Sequence, residues 1–294
     1  MTFLENVDKT KLQKITLIVI SALVLTALAL LLVIIIMSII PKTPGLSDGI
    51  KNLKDYTVTD ADINTGSLIL ADDDHPYTAN EESLDLVGCI AYRDAQPDAT
   101  GVGLEDASTK NYIPWKDMRL PTITMQNLHK MLTAAKNDVG ENPITIDAAY
   151  TMVQAGAEEK PEYKTGLLVL LSDYTSDYYE RVELSSAYRK WFDANAYKYG
   201  FIESFEDGYR YVGAPHAKLI KEYDDISTLA DYIAFLKDKT GYDKTARVNV
   251  DGVEYAIYYV ACEEGQTIKV PANNTYTISG TNEGGVIITV KLSK

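Results

Sequence analysis

The scarcest side chains limit the chemistry open to this chain. Histidine occurs three times, as His75, His129 and His216, and cysteine twice, as Cys89 and Cys262. A zinc-finger array and a Cys-rich disulfide scaffold are both excluded by those counts. Lysine-activated serine chemistry needs a Ser-x-x-Lys pair and a Lys-Thr-Gly strand. Lys-Thr-Gly stands at Lys164-Thr165-Gly166 and again at Lys239-Thr240-Gly241, but Ser-x-x-Lys is nowhere in the chain. The second copy closes a helix, where Lys then Gly is the usual stop. There is no phosphate-binding glycine loop and no His-Glu-x-x-His. Asp72-Asp73-Asp74-His75 has carboxylates for a hard cation, yet lacks the Gly and distal Glu of a calcium loop, and reads as a solvated turn.

These groups sit in a chain of 294 residues with 28 Lys+Arg against 42 Asp+Glu, a net charge of -14. Nucleic acid is excluded as a partner, because its binders carry a basic face. With 46% hydrophobic and 24% charged residues, the chain has enough apolar side chains to fold. From Ile15 to Ile40 no residue is charged. As a helix this stretch is about 39 Å long, enough for a hydrocarbon core of roughly 30 Å. It is longer than a signal-peptide core, and Ser38-Ile39-Ile40-Pro41 offers no cleavage site. The expected organisation is a cytoplasmic tail (1–14), a transmembrane signal anchor (15–40), a linker (41–55), a main domain (56–242) and a C-terminal β-module (243–294). Lysines are nearly balanced across the anchor, so the short tail and the long acidic body set the orientation, with the body extracytoplasmic at the cell membrane. Outside, Cys89 and Cys262 can oxidise, but sequence does not say whether they meet.

The elements that must position any site follow from periodicity. Leu128, Met131, Leu132 and Ala135 mark a helix over about 124–139, closed by Gly140. Residues 144–149 and 166–171 read as strands, and 185–199 as a helix stopped by Gly200. Leu229, Tyr232, Ile233 and Leu236 mark a helix over 227–239 that Ser227 can cap. His216 is expected near a helix start, in a packing or capping role. Residues 246–250 and 253–260 form a hairpin around Asp251-Gly252, with short strands at 267–270, 275–279 and 286–290. Asn64–Leu70 reads as a turn and an apolar strand, and 97–110 as a loop. The class is α+β.

One stretch is specific. Trp191-Phe192-Asp193-Ala194-Asn195-Ala196-Tyr197-Lys198-Tyr199-Gly200-Phe201 resembles the W-x-x-x-N-A-x-x-Y-G-F helix and turn of the VanY-type zinc D-alanyl-D-alanine carboxypeptidases. Tyr209-Arg210-Tyr211-Val212-Gly213 with His216-Ala217-Lys218-Leu219-Ile220 is similar to that family's R-Y-V-G segment and the helix after it. The likeness extends over most of 60–290. It implies a D,D-carboxypeptidase-like α+β core with a central antiparallel sheet. It also implies action on peptidoglycan stem peptides, through a zinc ion held by two His and one Asp that activates water.

The same resemblance locates the functional positions, and they are changed. The first two ligands correspond to Tyr163 and Leu170, within Pro161-Glu162-Tyr163-Lys164-Thr165-Gly166-Leu167-Leu168-Val169-Leu170. The third ligand corresponds to Gly208 and the catalytic glutamate to Phe205, with Glu206 one residue away. In Ala148-Ala149-Tyr150-Thr151 the arginine for the substrate carboxylate has become Thr151. Only 152–160 remains of the helix before the ligand motif. A phenol is a poor zinc ligand at neutral pH and leucine is none. The expectation is no metal, no catalytic residue, and a membrane-anchored pseudoenzyme that binds stem peptide or an envelope protein. Tyr150, Glu203, Glu206, Tyr209 and Arg210 are its candidate groove residues. The alternatives are a peptidase with a rearranged metal site (Glu162, Asp173, Glu203, Glu206, Asp207, His216) and a purely structural interaction protein. Tyr163, Leu170 and Phe205 packed together would favour the last, and an open polar cleft would favour peptide binding.

Overall fold

The computed structural model describes residues 49–95, 118–140, 144–150, 152–153, 159–173, 182–242 and 244–292, with 18–21, 23, 24 and 26. The chain forms two compact units, Met1–Gly45 and Leu46–Lys294. In the first, the described residues are helical, with Ile18, Val19, Ile20, Leu23 and Val24 exposed. Among the described residues no helix is long and apolar enough to cross a membrane, and most of the expected anchor lies outside them. The expected loop at 97–110 lies outside them as well.

In the second unit, the central sheet has five strands in the order β5-β4-β6-β8-β7, all neighbours antiparallel. They are β4 (Ile144–Ala149), β5 (Met152–Val153), β6 (Leu168–Asp173), β7 (Phe201–Phe205) and β8 (Gly208–Tyr211). Helix α3 (Thr122–Val139) lays Met125, Leu128, Met131, Leu132 and Ala135 on one face of this sheet, beside Tyr188 and Phe192 of α4 (Ser186–Asn195). Gly140 ends α3 in the left-handed conformation, φ 70°, as the sequence leads one to expect. The short helices α1 (Asp60–Asn64) and α2 (Cys89–Asp94) and the ribbon β2 (Leu86–Gly88) with β3 (Arg119–Pro121) precede α3.

A second antiparallel sheet, order β12-β13-β10-β9, contains β9 (Ala246–Val250), β10 (Val253–Val260), β12 (Tyr276–Gly280) and β13 (Val286–Lys291). Asp251 and Gly252 join β9 to β10 with φ 49° and 80°, the pair of positive values a type I′ turn needs. On one face Ile257 and Ile287 meet α5 (Ala214–Glu222) and α6 (Leu229–Lys237); on the other Ala256, Tyr258 and Ile288 meet the ribbon β1 (Leu53–Thr57)–β11 (Thr267–Pro271). The C-terminal strands therefore share a core with α5 and α6.

Four local expectations change. The linker ends earlier than Asp55, because Ile50 is buried and Leu53 begins a strand that pairs with β11. Residues 66–70 are not a strand: the carbonyls of Ser67 and Ile69 accept from the Arg210 guanidinium instead of a ladder neighbour. Thr228, not Ser227, caps α6 in a capping box with Asp231. Cys89 and Cys262 are buried free thiols in separate clusters, so they form no disulfide.

Candidate functional site

The face of the central sheet opposite α3 and α4 is where the site positions meet. Leu170 of β6 lies between Ala148 of β4 and Gly208 of β8. Tyr163 reaches the same place from a 3-10 turn, Pro161–Thr165. The turn ends on Gly166 at φ 71°, where a side chain would strike the Pro121 ring at 2.7 Å. Lys164-Thr165-Gly166 is thus a turn and its cap, with the Thr165 hydroxyl donating to the Glu162 carbonyl at 2.7 Å.

Phe205 arrives by a register shift. Glu203 pairs with Tyr209, but Phe205 pairs with Gly208, because β7 bulges between Glu203 and Phe205. Without the extra residue, alternation would put Phe205 on the side of Glu203. With it, the ring lies on Gly208, where a Cβ would meet three ring carbons at 2.5–2.6 Å. Ala148, Tyr163, Leu168 and Leu170 form one buried apolar cluster, and Phe205 packs against it. The Lys160 ammonium is 5.3 Å from the centroid of the Phe205 ring.

Next to this plug lies a buried ion pair. Arg210 is 1% exposed; its guanidinium donates to the Glu162 carboxylate and to the Ile69 carbonyl. Glu162 also accepts from the Ser204 hydroxyl at 2.9 Å. One network thus ties the 3-10 turn, β7, β8 and the 67–69 segment together. Beyond the plug, Tyr77, Tyr150, Tyr163, Glu81, Lys160 and Lys164 line an open cavity of about 480 Å³. Burial, with the neighbouring Glu81 carboxylate, raises the Tyr150 phenol above its ordinary value. The Arg119 guanidinium lies 5.7 Å from the Tyr150 ring.

No family model matches the chain. A D-alanyl-D-alanine carboxypeptidase of Enterococcus faecium is 27% identical over 263 residues, covering 82% of this chain and 80% of the relative. The chain is thus similar along most of its length to a D-alanyl-D-alanine carboxypeptidase. The fold agrees: the vancomycin-resistance D,D-dipeptidase VanXYg, solved with a D-Ala-D-Ala phosphinate analog, superposes with TM-score 0.58 at 19% identity. That match covers 82% of this chain and all of the dipeptidase. VanYB, solved with D-alanine-D-alanine, gives TM-score 0.38 at 17% identity over 57% of this chain and 97% of VanYB.

Within this D,D-carboxypeptidase-like core, Tyr163, Leu170, Gly208 and Phe205 come together. Their chemistry does not fit zinc: one phenol, one isobutyl group, one ring and no side chain at all. Among the described residues no three His, Cys, Asp or Glu side chains are grouped to hold a metal ion. Thr151 lies outside the described residues, and Tyr150 alone of the candidate groove residues lines the cavity beside the plug. Arg210 is locked in its network.

Glu206 does not slide into the base position. It is exposed and ion-paired to Arg189 at 2.7 Å, because Arg189 also grips the buried Asp207 with two bonds, 2.9 and 3.0 Å. Asp207 occupies the tight hairpin turn at φ 63°. Glu203 and Tyr209 are cross-strand partners, and Tyr209 packs into the α3–α4 core, so this pair belongs to the other side of the sheet. His216 is buried between two hydroxyls, Tyr232 at 2.8 Å and Thr289 at 2.9 Å, and burial drives its pKa down to about 3. It braces α5 and α6 against β13. His75 lies between Asp72 and Glu283, and their hydrogen bonds and charge hold its pKa above the ordinary value. Sequence reasoning missed Lys160 and Lys164 as cavity residues, and the bulge at Ser204. No local signal announces the bulge, because the two-residue turn Glu206-Asp207 is equally compatible with regular alternation.

Proposed function

We propose that this chain is a membrane-anchored, extracytoplasmic D,D-carboxypeptidase-like protein that binds peptide without hydrolysing it. One observation carries the reading: the ligand and base positions form an apolar plug, while an open cavity with polar groups remains beside it. A water nucleophile needs a metal or a base at that point, and Tyr163, Leu170 and Phe205 supply neither. The cavity has the polar inventory for a peptide end: two lysines for a carboxylate, with phenols and a glutamate for amide groups. A stem peptide ending in D-Ala-D-Ala is the first ligand to test, given the relative's activity and the analog held by VanXYg. The anchor is the uncharged 15–40 stretch.

Titration calorimetry with a D-Ala-D-Ala-terminated stem pentapeptide is expected to show saturable binding, unchanged by chelator, with no D-alanine released. Stoichiometric zinc by elemental analysis, with D-alanine release abolished by a chelator, overturns the reading. The plug also favours a second reading, an interaction protein whose groove is filled. No heat with the peptide, together with a co-purifying envelope protein, would select it.

A further inference from the structure

On the side of the central sheet that carries α4, a separate cavity of about 270 Å³ opens between α4, β7 and α5. Its walls are apolar, from Phe192, Ile202 and Ile220. Its charged groups are Asp193, Glu203, Asp224 and Lys221. Lys221 is taken by Asp193 at 2.7 Å. Glu203 accepts a backbone hydrogen bond from Asp207 and feels the Arg189 charge, while Asp224 has no cationic partner among the described residues, so the lining stays net negative. Tyr209 supplies an independent sign. It is 2% exposed and lines this cavity, and its hydroxyl has no hydrogen-bond partner among the described residues. The hydroxyl is not sealed off; it opens onto the cavity, where a bound group can pair with it. Burial raises the Tyr209 phenol, and the nearby Glu203 charge raises it further, so it stays a neutral hydroxyl able to accept as well as donate.

We propose that this cavity is a second binding site, which takes a small amphipathic cation: an ammonium group on an apolar arm. The arm lies on Phe192, Ile202 and Ile220. The ammonium donates to the Glu203 carboxylate and to the Tyr209 hydroxyl, filling the acceptor the fold leaves open. Asp224 adds charge at the mouth. The volume equals roughly nine water molecules, which suits an amine of about eight to ten heavy atoms. A neutral ligand of the same shape forgoes the charge attraction of Glu203 and Asp224, so the site discriminates by charge. The site stands apart from the peptide cavity and does not depend on how that cavity is used.

The test is a titration of the full chain, in non-ionic detergent, with benzylammonium chloride, followed by NMR of the ligand, and with benzyl alcohol as the neutral isostere. Saturable benzylammonium binding is expected at concentrations up to about 10 mM, with benzyl alcohol at least about tenfold weaker. Glu203→Gln should weaken benzylammonium about tenfold or more, and Tyr209→Phe about three- to tenfold, each with an unfolding midpoint like that of the parent. Glu222→Gln, on the same helix as Lys221 but outside the cavity, should bind as the parent does. Equal binding of the alcohol, undiminished binding in Glu203→Gln, or no saturable binding overturns the proposal.

Discussion

Gly208→Ala tests the plug through the sign of its effect. The φ of Gly208 is not in the left-handed region, so alanine suits the backbone there, and only the neighbour decides the cost. That neighbour is the Phe205 ring, with Cζ at 2.5 Å and both Cε atoms at 2.6 Å from the position a Cβ would take. Carbon atoms rest at about 3.5–4.0 Å, so the ring must retreat by roughly 1 Å. Retreat is opposed by its packing on the cluster of Ala148, Tyr163, Leu168 and Leu170. Overpacking of this kind costs about 1–3 kcal/mol. Phe205→Ala removes the obstacle. In that background the same Gly208→Ala should be neutral or stabilising by about 0.5 kcal/mol, because alanine lowers the entropy of the unfolded chain. The double-mutant cycle therefore predicts a coupling of roughly 1–3.5 kcal/mol. Urea midpoints, compared at constant slope, report it. Additivity of the two substitutions within about 0.5 kcal/mol would mean that Phe205 does not sit on Gly208, and the account of the site would fail.

Three further outcomes follow from other parts of the unit. His216 has a folded pKa near 3 against an ordinary 6.5, so below about pH 6.5 the unfolded chain binds the extra proton. Its contribution is complete above that pH and falls by about 1.4 kcal/mol per pH unit toward pH 3; His216→Gln should flatten this part of the stability profile, measured by urea unfolding. Arg189→Ala removes two charge-assisted bonds from the fully buried Asp207, leaving it the Leu184 N–H at 3.3 Å, and should cost about 1–3 kcal/mol, since Arg189 is itself a third exposed, while Arg189→Lys should recover less than half because it lacks the two-pronged geometry. Cys89 and Cys262 should react with a thiol reagent only after denaturation, two per chain without reductant; burial drives the Cys89 thiol up to about 12, and a single disulfide by mass would refute the free-thiol assignment.

The elements with long or local signals were legible in the sequence. The stripe from Leu128 to Ala135 defines α3, and Asp251-Gly252 names its own turn, because both depend on residues close in sequence. The convergence of Tyr163, Leu170 and Gly208 was legible through the family likeness. What could not be read was sidedness. One extra residue in β7 reverses which face Phe205 meets, and nothing local in Glu203-Ser204-Phe205 announces it. Arg210 likewise reads as a groove residue until Glu162 and the Ile69 carbonyl, 48 and 141 positions away, claim its guanidinium. The segment 66–70 reads as a strand for the same reason, since its backbone partner is a side chain.

The plug is a mutually fitted set of side chains. Leu170 needs the small Ala148 and Gly208 on either side; Gly208 is what admits the Phe205 ring; the bulge at Ser204 is what turns that ring over. Tyr163 and Leu168 complete the cover. Placing a metal ligand at one of these positions would be unfavourable alone. An aspartate at position 170 would place a carboxylate among Ala148, Leu168 and Phe205, with Arg210 already engaged by Glu162. Unpaired burial of that kind costs several kcal/mol or forces the group neutral. A histidine at 208 would collide with the Phe205 ring before it reached any ion. The packing therefore holds the site in its present chemistry, because each residue makes a metal-ligating type at its neighbour's position more costly than the present one.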